Sequence, residues 1–210
     1  MKQVEFFYDV SSPYAYLAHD EIGKVAQDHG AEVVWRPFFL GGLFKSLAAD
    51  IVPFTSGSKQ KQKILRDDMY RWAEIRGIPF QWPSIFPMMT IRPMRVLCQL
   101  EGETHQAMAR HIFRQYWAHD QNIGDPVVLH QILETQGLDA DALLAGCERP
   151  EIKQKLLDAT DEALQRGACG APTFFVGQQL VWGQDRLDFV GRLLDGWKPQ
   201  YGDGWKPQHG

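Results

Sequence analysis

The chain has 210 residues, with 22 Lys and Arg against 26 Asp and Glu, a net charge of −4 at neutral pH. That balance argues against nucleic-acid binding, which needs concentrated positive charge, and an aromatic content of 12% argues against a disordered chain. The length allows a buried core without disulfide or metal staples, as one large domain or one domain carrying an insertion.

Residues 4–8 (Val-Glu-Phe-Phe-Tyr) are a short apolar run ahead of Asp9 and predict a buried strand. Ser11-Ser12-Pro13 follows, then Tyr14, Leu17, Ile22 and Val25 at helical spacing. Serine suits a cap, proline a first turn, and Gly30 a helix stop. Residues 32–39 predict a second strand, so the N-terminal stretch reads as a βαβ unit with a parallel strand pair. Gly41-Gly42 reads as a turn and not as a phosphate cradle, because G-x-G-x-x-G is missing.

From about Thr55 to Arg166 no strand-like alternation appears. Residues 59–76, 94–99, 106–118, 127–136, 138–145 and 150–166 read as helices, and the proline-rich stretch 79–93 as mostly loop. The β signal returns at residues 173–176 and 180–182 around a Gly-containing turn, which predicts an antiparallel hairpin. Residues 187–194 read as a last helix. The chain end repeats itself, since residues 195–200 (DGWKPQ) recur at 203–208, and it reads as a flexible tail.

This order of elements predicts an α/β, thioredoxin-like fold with a large all-helical insertion. Residues 1–54 and 167–194 would form the thioredoxin-like domain, 55–166 the helical insertion, and 195–210 the tail. Cys98, Cys147 and Cys169 are odd in number and include no C-x-x-C, which speaks against a disulfide framework and a zinc ribbon. The opening Met1-Lys2-Gln3-Val4-Glu5 carries charge where a signal peptide has its apolar core, and no apolar run approaches the roughly 20 residues of a membrane span. A cytoplasmic protein without metal, membrane or nucleic-acid partners is expected.

Two local features stand out. Ser12-Pro13 opens a helix, where unpaired N–H groups and partial positive charge suit an anion such as a thiolate; on the turn alone, a plain N-cap is the simpler reading of Ser12. Gly170-Ala171-Pro172-Thr173 enters the third strand. A proline there is often cis in this fold, which exposes the backbone of the residue before it.

These segments carry a resemblance. Phe7-Tyr8-Asp9-Val10-Ser11-Ser12-Pro13-Tyr14-Ala15-Tyr16-Leu17, Trp35-Arg36-Pro37-Phe38-Phe39-Leu40-Gly41-Gly42-Leu43-Phe44-Lys45, Arg71-Trp72-Ala73 and Gly77-Ile78-Pro79-Phe80 resemble 2-hydroxychromene-2-carboxylate isomerases and the related kappa-class glutathione transferases. So do Gly170-Ala171-Pro172-Thr173-Phe174-Phe175-Val176 and Trp182-Gly183-Gln184-Asp185-Arg186-Leu187, and the blocks run in the family's order. The resemblance covers all but the tail. The same superfamily holds DsbA-type disulfide oxidoreductases, which carry C-x-x-C where this chain has Ser12-Pro13-Tyr14-Ala15. Dithiol exchange needs two thiols, so that chemistry is excluded at this position.

The resemblance implies glutathione as cofactor and Ser12 as a hydrogen-bond donor to its sulfur. A serine nucleophile needs an adjacent base, and no histidine has a recognisable role. It further implies that Ala171, ahead of Pro172, pairs its backbone with the cysteinyl backbone, that Gln184 and Asp185 take the γ-glutamyl end, and that Lys61 lies near the glycyl end. Without it, Asp185 reads as an N-cap and Lys61 as a solvated lysine. The implied activity is glutathione-dependent cis-trans isomerisation of the 2-hydroxychromene-2-carboxylate type in aromatic hydrocarbon catabolism, carried by a homodimer. For the substrate, a small aromatic or unsaturated carboxylate, Arg36, Lys45 and Arg92 are candidate anchors, and Trp82, Phe86 and Met88 candidate walls.

The chain departs from the family pattern in residues 46–50, where the family has Asn, at Ile64, where it has tyrosine, and at Met89, often Asn. Two other readings therefore stay open: a kappa-like glutathione transferase or peroxidase, and a thioredoxin-fold binding module in which Ser12 only caps. His105 and His111 read as surface helix residues, and Cys169, three residues before Pro172, as a small buried core residue.

Overall fold

Strand β1 (Lys2–Tyr8) buries Val4, Phe6, Phe7 and Tyr8 completely, so both its faces are covered, as a central strand requires. The structure is a computed structural model that describes residues 1–48, 54 and 57–200. Strand β2 (Ala31–Pro37) pairs parallel to β1, in register Phe6 with Trp35. On the other side of β1 lies β3 (Thr173–Val176), antiparallel, followed by β4 (Gln179–Trp182), giving the sheet order β2-β1-β3-β4. The predicted hairpin is therefore present, and its turn uses Gly177 at φ 59°, a left-handed conformation that glycine adopts without a Cβ penalty.

The single helix expected after β1 is two: α1 (Pro13–Ala18) and α2 (Glu21–Asp28). Tertiary contacts impose the break. The buried His19 ring bonds the Tyr16 carbonyl through Nδ1 and stacks beside Tyr16 and Phe113, while Arg110 holds Asp20 at 3.1 Å. Gly41-Gly42 is not a turn but lies within helix α3 (Leu40–Ser46). A Cβ at Gly41 would meet the tip of the Phe39 ring at 2.8 Å, so the bare backbone lets that ring lie against the first turn of the helix.

Between β2 and β3 the described residues are helical or irregular, in helices α4 (Lys59–Arg76), α5 (Ile91–Leu97), α6 (Gly102–Trp117), α7 (Pro126–Glu134), α8 (Ala140–Gly146) and α9 (Pro150–Gln165). Helix α5 starts earlier than its sequence signal because Pro93 occupies the first turn, where an N–H would have no intrahelical partner. Helix α10 (Leu187–Leu194) follows the hairpin. One core joins β1 to α6 through Phe113, Tyr116 and Trp117, and Trp117 Nε1 donates to the Val10 carbonyl at 2.9 Å. A second cluster packs Leu17 of α1 with Phe54 and with Met69 and Ala73 of α4.

The start of the tail is anchored. Asp195 accepts from His29 at 2.8 Å, and Trp197 stacks on Phe189 with ring centroids 6.0 Å apart. Residues 201–210, with the second DGWKPQ copy, lie outside the described residues, as do Ala49 and Asp50 of the departing segment. Among the described residues no helix is long and apolar enough to cross a membrane.

Candidate active site

The turn after β1 is built around Asp9, which is fully buried. Its Oδ1 accepts from Ser11 N (2.9 Å), Ser11 Oγ (2.9 Å) and Thr90 Oγ1 (2.7 Å), and its Oδ2 from Leu40 N (2.9 Å). Burial pushes the carboxyl above its ordinary range, and these hydrogen bonds pull against that shift. One side chain thus ties the β1 turn to the starts of α3 and α5. The sequence analysis assigned it no role.

Ser12 follows, 3% exposed, with its N–H bonded to the Asp9 carbonyl at 3.0 Å. Its Oγ accepts from Ala15 N at 3.1 Å, so it is the N-cap of α1. The same hydroxyl donates to the Ala171 carbonyl at 2.9 Å, across 159 positions of sequence. Capping and bridging thus coexist in one oxygen. The Ala171–Pro172 bond is cis. α1 has only six residues, so local N–H groups, not a long helix dipole, supply the positive end here.

Beyond Pro172 the ladder extends one step, Gly183 N to the Pro172 carbonyl at 3.1 Å, before the turn bearing Gln184 and Asp185. Gly183 has φ 103°, and a Cβ there would lie 2.8 Å from Asp185 Oδ1. Gln184 is 3% exposed, and its Oε1 is buried without a hydrogen-bond partner. Asp185 is half-exposed and is not the cap of α10; that place belongs to Arg186, which makes no side-chain cap. Arg76, at the end of α4, clamps this turn by donating to the carbonyls of Leu17 (2.8 Å) and Gln184 (2.9 Å), with its guanidinium 4.7 Å above the Trp72 ring. Arg76 carried no signal in the sequence beyond its place at a helix end.

An aromatic wall borders the Ser12 turn. Tyr14 stacks on Phe54 (5.4 Å), which meets Trp82 (5.0 Å) and Phe86 (6.0 Å) edge-on. Burial pushes the Tyr14 hydroxyl up to about 12, with smaller contributions from the negative charges of Asp68 and Asp185. Trp82 and Phe86, the expected walls of a substrate pocket, thus cluster with Tyr14 and Phe54 beside the Ser12 turn.

The remaining expected residues divide. Lys45 and Lys61 are exposed, at the end of α3 and the start of α4. Arg36 is committed elsewhere: it pairs with Glu162 and Glu5 and lies over the Phe7 ring, in a network completed by Arg166. Met88 and Arg92 line a separate cavity. His105 is a correction, since it is buried, with Nε2 against the Tyr8 hydroxyl (2.8 Å) and Nδ1 against the Leu97 carbonyl (2.9 Å). An N-terminal position on amphipathic α6 turned it inward. His111 is partly buried against Thr135. Cys169 is exposed, not a core residue, and all three cysteines are free. Among the described residues no cluster of His, Cys, Asp or Glu is placed to hold a metal ion.

Comparison with known proteins identifies the family and the fold. The sequence pattern of the DSBA-like thioredoxin domain matches residues 3–195. A 2-hydroxychromene-2-carboxylate isomerase of Sphingobium xenophagum is 29% identical over 189 residues, covering 90% of this chain and 96% of the relative. A glutathione S-transferase kappa 2 of Caenorhabditis elegans is 28% identical over 208 residues, covering 92% of each chain. A solved 2-hydroxychromene-2-carboxylate isomerase superposes with a TM-score of 0.80 at 24% identity, over 92% of this chain and 95% of its own, a likeness of fold.

Proposed function

The chain belongs to the DSBA-like thioredoxin domain family, and on that premise we propose that it is a glutathione-dependent isomerase of the 2-hydroxychromene-2-carboxylate type. The observation that carries the reading is the hydrogen bond from Ser12 to the Ala171 carbonyl. It joins a hydroxyl, in the place of a redox thiol, to the loop expected to receive the cysteinyl backbone of glutathione.

The residues fit that cofactor. Gln184 Oε1 is a buried acceptor lacking a donor, which a γ-glutamyl ammonium would supply, and Asp185 beside it adds negative charge. An unpaired buried carbonyl costs free energy that such a ligand recovers. Lys61 is the candidate for the glycyl carboxylate.

Bound glutathione supplies a sulfur nucleophile that adds reversibly to an unsaturated substrate. Ser12 holds that sulfur ionised by turning its proton from the Ala171 carbonyl toward it, while its oxygen goes on capping Ala15. Among the described residues no base is placed to deprotonate Ser12: Asp9 is engaged with Ser11, Thr90 and Leu40, and His19 and His105 with Tyr16, Tyr8 and Leu97. It therefore acts as a donor and not as a nucleophile. The backbone of Ala171, released by that turn, is free to pair with an extended ligand main chain. Tyr14, Phe54, Trp82 and Phe86 shield the sulfur from water, and Lys45 is the remaining candidate anchor at this site for a substrate carboxylate.

The test is direct. Purified protein with 2-hydroxychromene-2-carboxylate should equilibrate it with its isomer trans-o-hydroxybenzylidenepyruvate only when glutathione is present, with total free thiol unchanged at the end. The kappa relative supports a second reading as a glutathione transferase or peroxidase; that activity consumes thiol. Saturable glutathione binding without turnover of either kind would leave only a binding module. The free cysteines fit the reducing cytoplasm, and the homodimer expected from the resemblance is checked by light scattering on the eluting protein.

A further inference from the structure

A cavity of about 500 Å³ opens between residues 85–95, 122–125 and 147–148, and neither Ser12, Ala171, Gln184 nor Asp185 lines it. Its apolar wall is Ile85, Pro87, Met88, Met89 and Ile91. Two guanidiniums enter from α5, where Arg92 and Arg95, three residues apart, share a helix face.

Neither guanidinium is well used within the chain. Arg92 makes one long bond, Nη1 to the Gly124 carbonyl at 3.4 Å. Arg95 Nε is buried with no acceptor, and its Nη1 stands 3.6 Å from Glu148. Two carboxylates also border the cavity, and both have partners of their own. Glu148 is held by Lys153 at 2.7 Å, and Asp125 caps α7 through Val127 N (2.8 Å) and Val128 N (3.4 Å). The positive field of the arginines is felt in the cavity lining: it opposes the upward push that burial gives the Cys147 thiol.

Neighbouring like charges repel, and a buried donor without an acceptor is costly. An anion set between the two guanidiniums relieves their repulsion and gives the Arg95 fork an acceptor that its own chain does not place at Nε. Carboxylate matches the guanidinium fork in a bidentate manner, and the Ile85-to-Ile91 wall fits a flat apolar body attached to it. We propose that this cavity is a binding site for a small aromatic carboxylate, held by Arg92 and Arg95 and separate from the Ser12 site. The proposal stands on the cavity and its arginines and does not depend on the reading of Ser12. The two sites share a support, since Thr90, immediately ahead of α5, donates to Asp9 beside the Ser12 turn.

The test is calorimetric titration of the full-length protein with salicylate and with salicylamide, its neutral counterpart. Salicylate should bind saturably and salicylamide roughly tenfold more weakly or less, because a charge-assisted pair is lost. Arg95→Gln should weaken salicylate binding by roughly tenfold or more, with an unchanged circular dichroism spectrum; if that variant does not fold, Arg92→Gln carries the same expectation. Saturating S-methylglutathione should leave salicylate binding as it was. Equal binding of the two probes, binding that survives both arginine substitutions, or displacement by S-methylglutathione would each overturn the proposal.

Discussion

Replacing Ser12 by alanine separates the two jobs of its hydroxyl. The structural job is visible: Oγ caps Ala15 N at 3.1 Å and satisfies the Ala171 carbonyl at 2.9 Å, both buried. Losing a cap costs about 0.5–2 kcal/mol, and leaving a buried carbonyl unpaired costs about 1–3 kcal/mol. Ser12→Ala should therefore be folded but less stable, by roughly 1.5–5 kcal/mol. The chemical job is worth a charge-assisted hydrogen bond, about 1.5–3 kcal/mol. At about 1.36 kcal/mol per pKa unit, the bound thiol should rise by roughly one to two units, and turnover at neutral pH should fall roughly 10–100-fold. The sign follows from which form Ser12 favours. In the proposed reading it stabilises the ionised sulfur, so without it the rate should be lost below the thiol's own range and return as pH climbs through about 8.5. Thiolate ultraviolet absorbance, titrated in the glutathione complexes of both proteins below the variant's melting temperature, measures the shift, and rate–pH profiles measure the recovery. An unchanged thiol pKa, or a covalent adduct on Ser12 during turnover, would refute the reasoning.

Other consequences follow from the same geometry. Arg76→Ala removes the clamp on Leu17 and Gln184, so the glutathione Kd should rise roughly tenfold, while that of cysteinylglycine, which lacks the γ-glutamyl end, stays level; equal losses for both would show a general structural defect instead. Burial lowers the His105 pKa from its ordinary 6.5, so below that value the unfolded chain takes up the proton that the folded one refuses, and stability should fall as pH drops from 6.5 through the folded value. His105→Gln, which keeps an acceptor for Tyr8, should flatten that part of the melting-temperature profile. Ending the chain at Leu194 removes the Asp195 contact with His29 and the Trp197 stack on Phe189 and should lower the melting temperature by a few degrees, whereas ending it at Gln200 should keep it.

The strands were legible because their signals are local. A run of Val, Phe, Phe and Tyr has no stable place except a sheet covered on both faces, and Gly177 between two short apolar runs leaves a hairpin as the simplest solution. The Ser12 cap and the cis Pro172 were legible from the turn and strand-entry motifs. What escaped depends on contacts between distant segments. The break at His19 comes from Phe113 and Arg110 on α6, and His105 is inside because Tyr8 and the Leu97 carbonyl meet it there. Met88 and Arg92 sit only a few positions from Phe86, yet they face a different cavity. Met88 lies in an irregular proline-rich segment where no periodicity assigns a face, and Arg92 lies in the first turn of α5, a helix whose start the sequence signal placed later, at Met94.

Asp9 shows how far such non-local accounting reaches into the chemistry. By its place in the sequence it merely ends a strand, but a charge taken fully out of water survives only where donors converge on it. Those donors come from the Ser12 turn, from the start of α3 and from the residue before α5. The carboxylate therefore holds in one register the serine, the helix that ends near Lys45, and the helix that carries Arg92 and Arg95. It also sets an electrostatic condition on the site. Three positions from Ser12 stands a buried carboxyl whose pKa burial raises; in its ionised form it disfavours a second anion nearby, so the thiolate of the proposed reading would have to be stabilised by more than Asp9 opposes. The hydrogen bonds that Asp9 accepts spread its charge over fixed dipoles and would soften that opposition, so that in the proposed reading the Ser12 hydroxyl and the N–H groups opening α1 would favour the sulfur. Ser12 can act as a donor because Asp9 is already fully engaged; were the carboxylate free to turn toward the serine, it would take the proton that the sulfur needs.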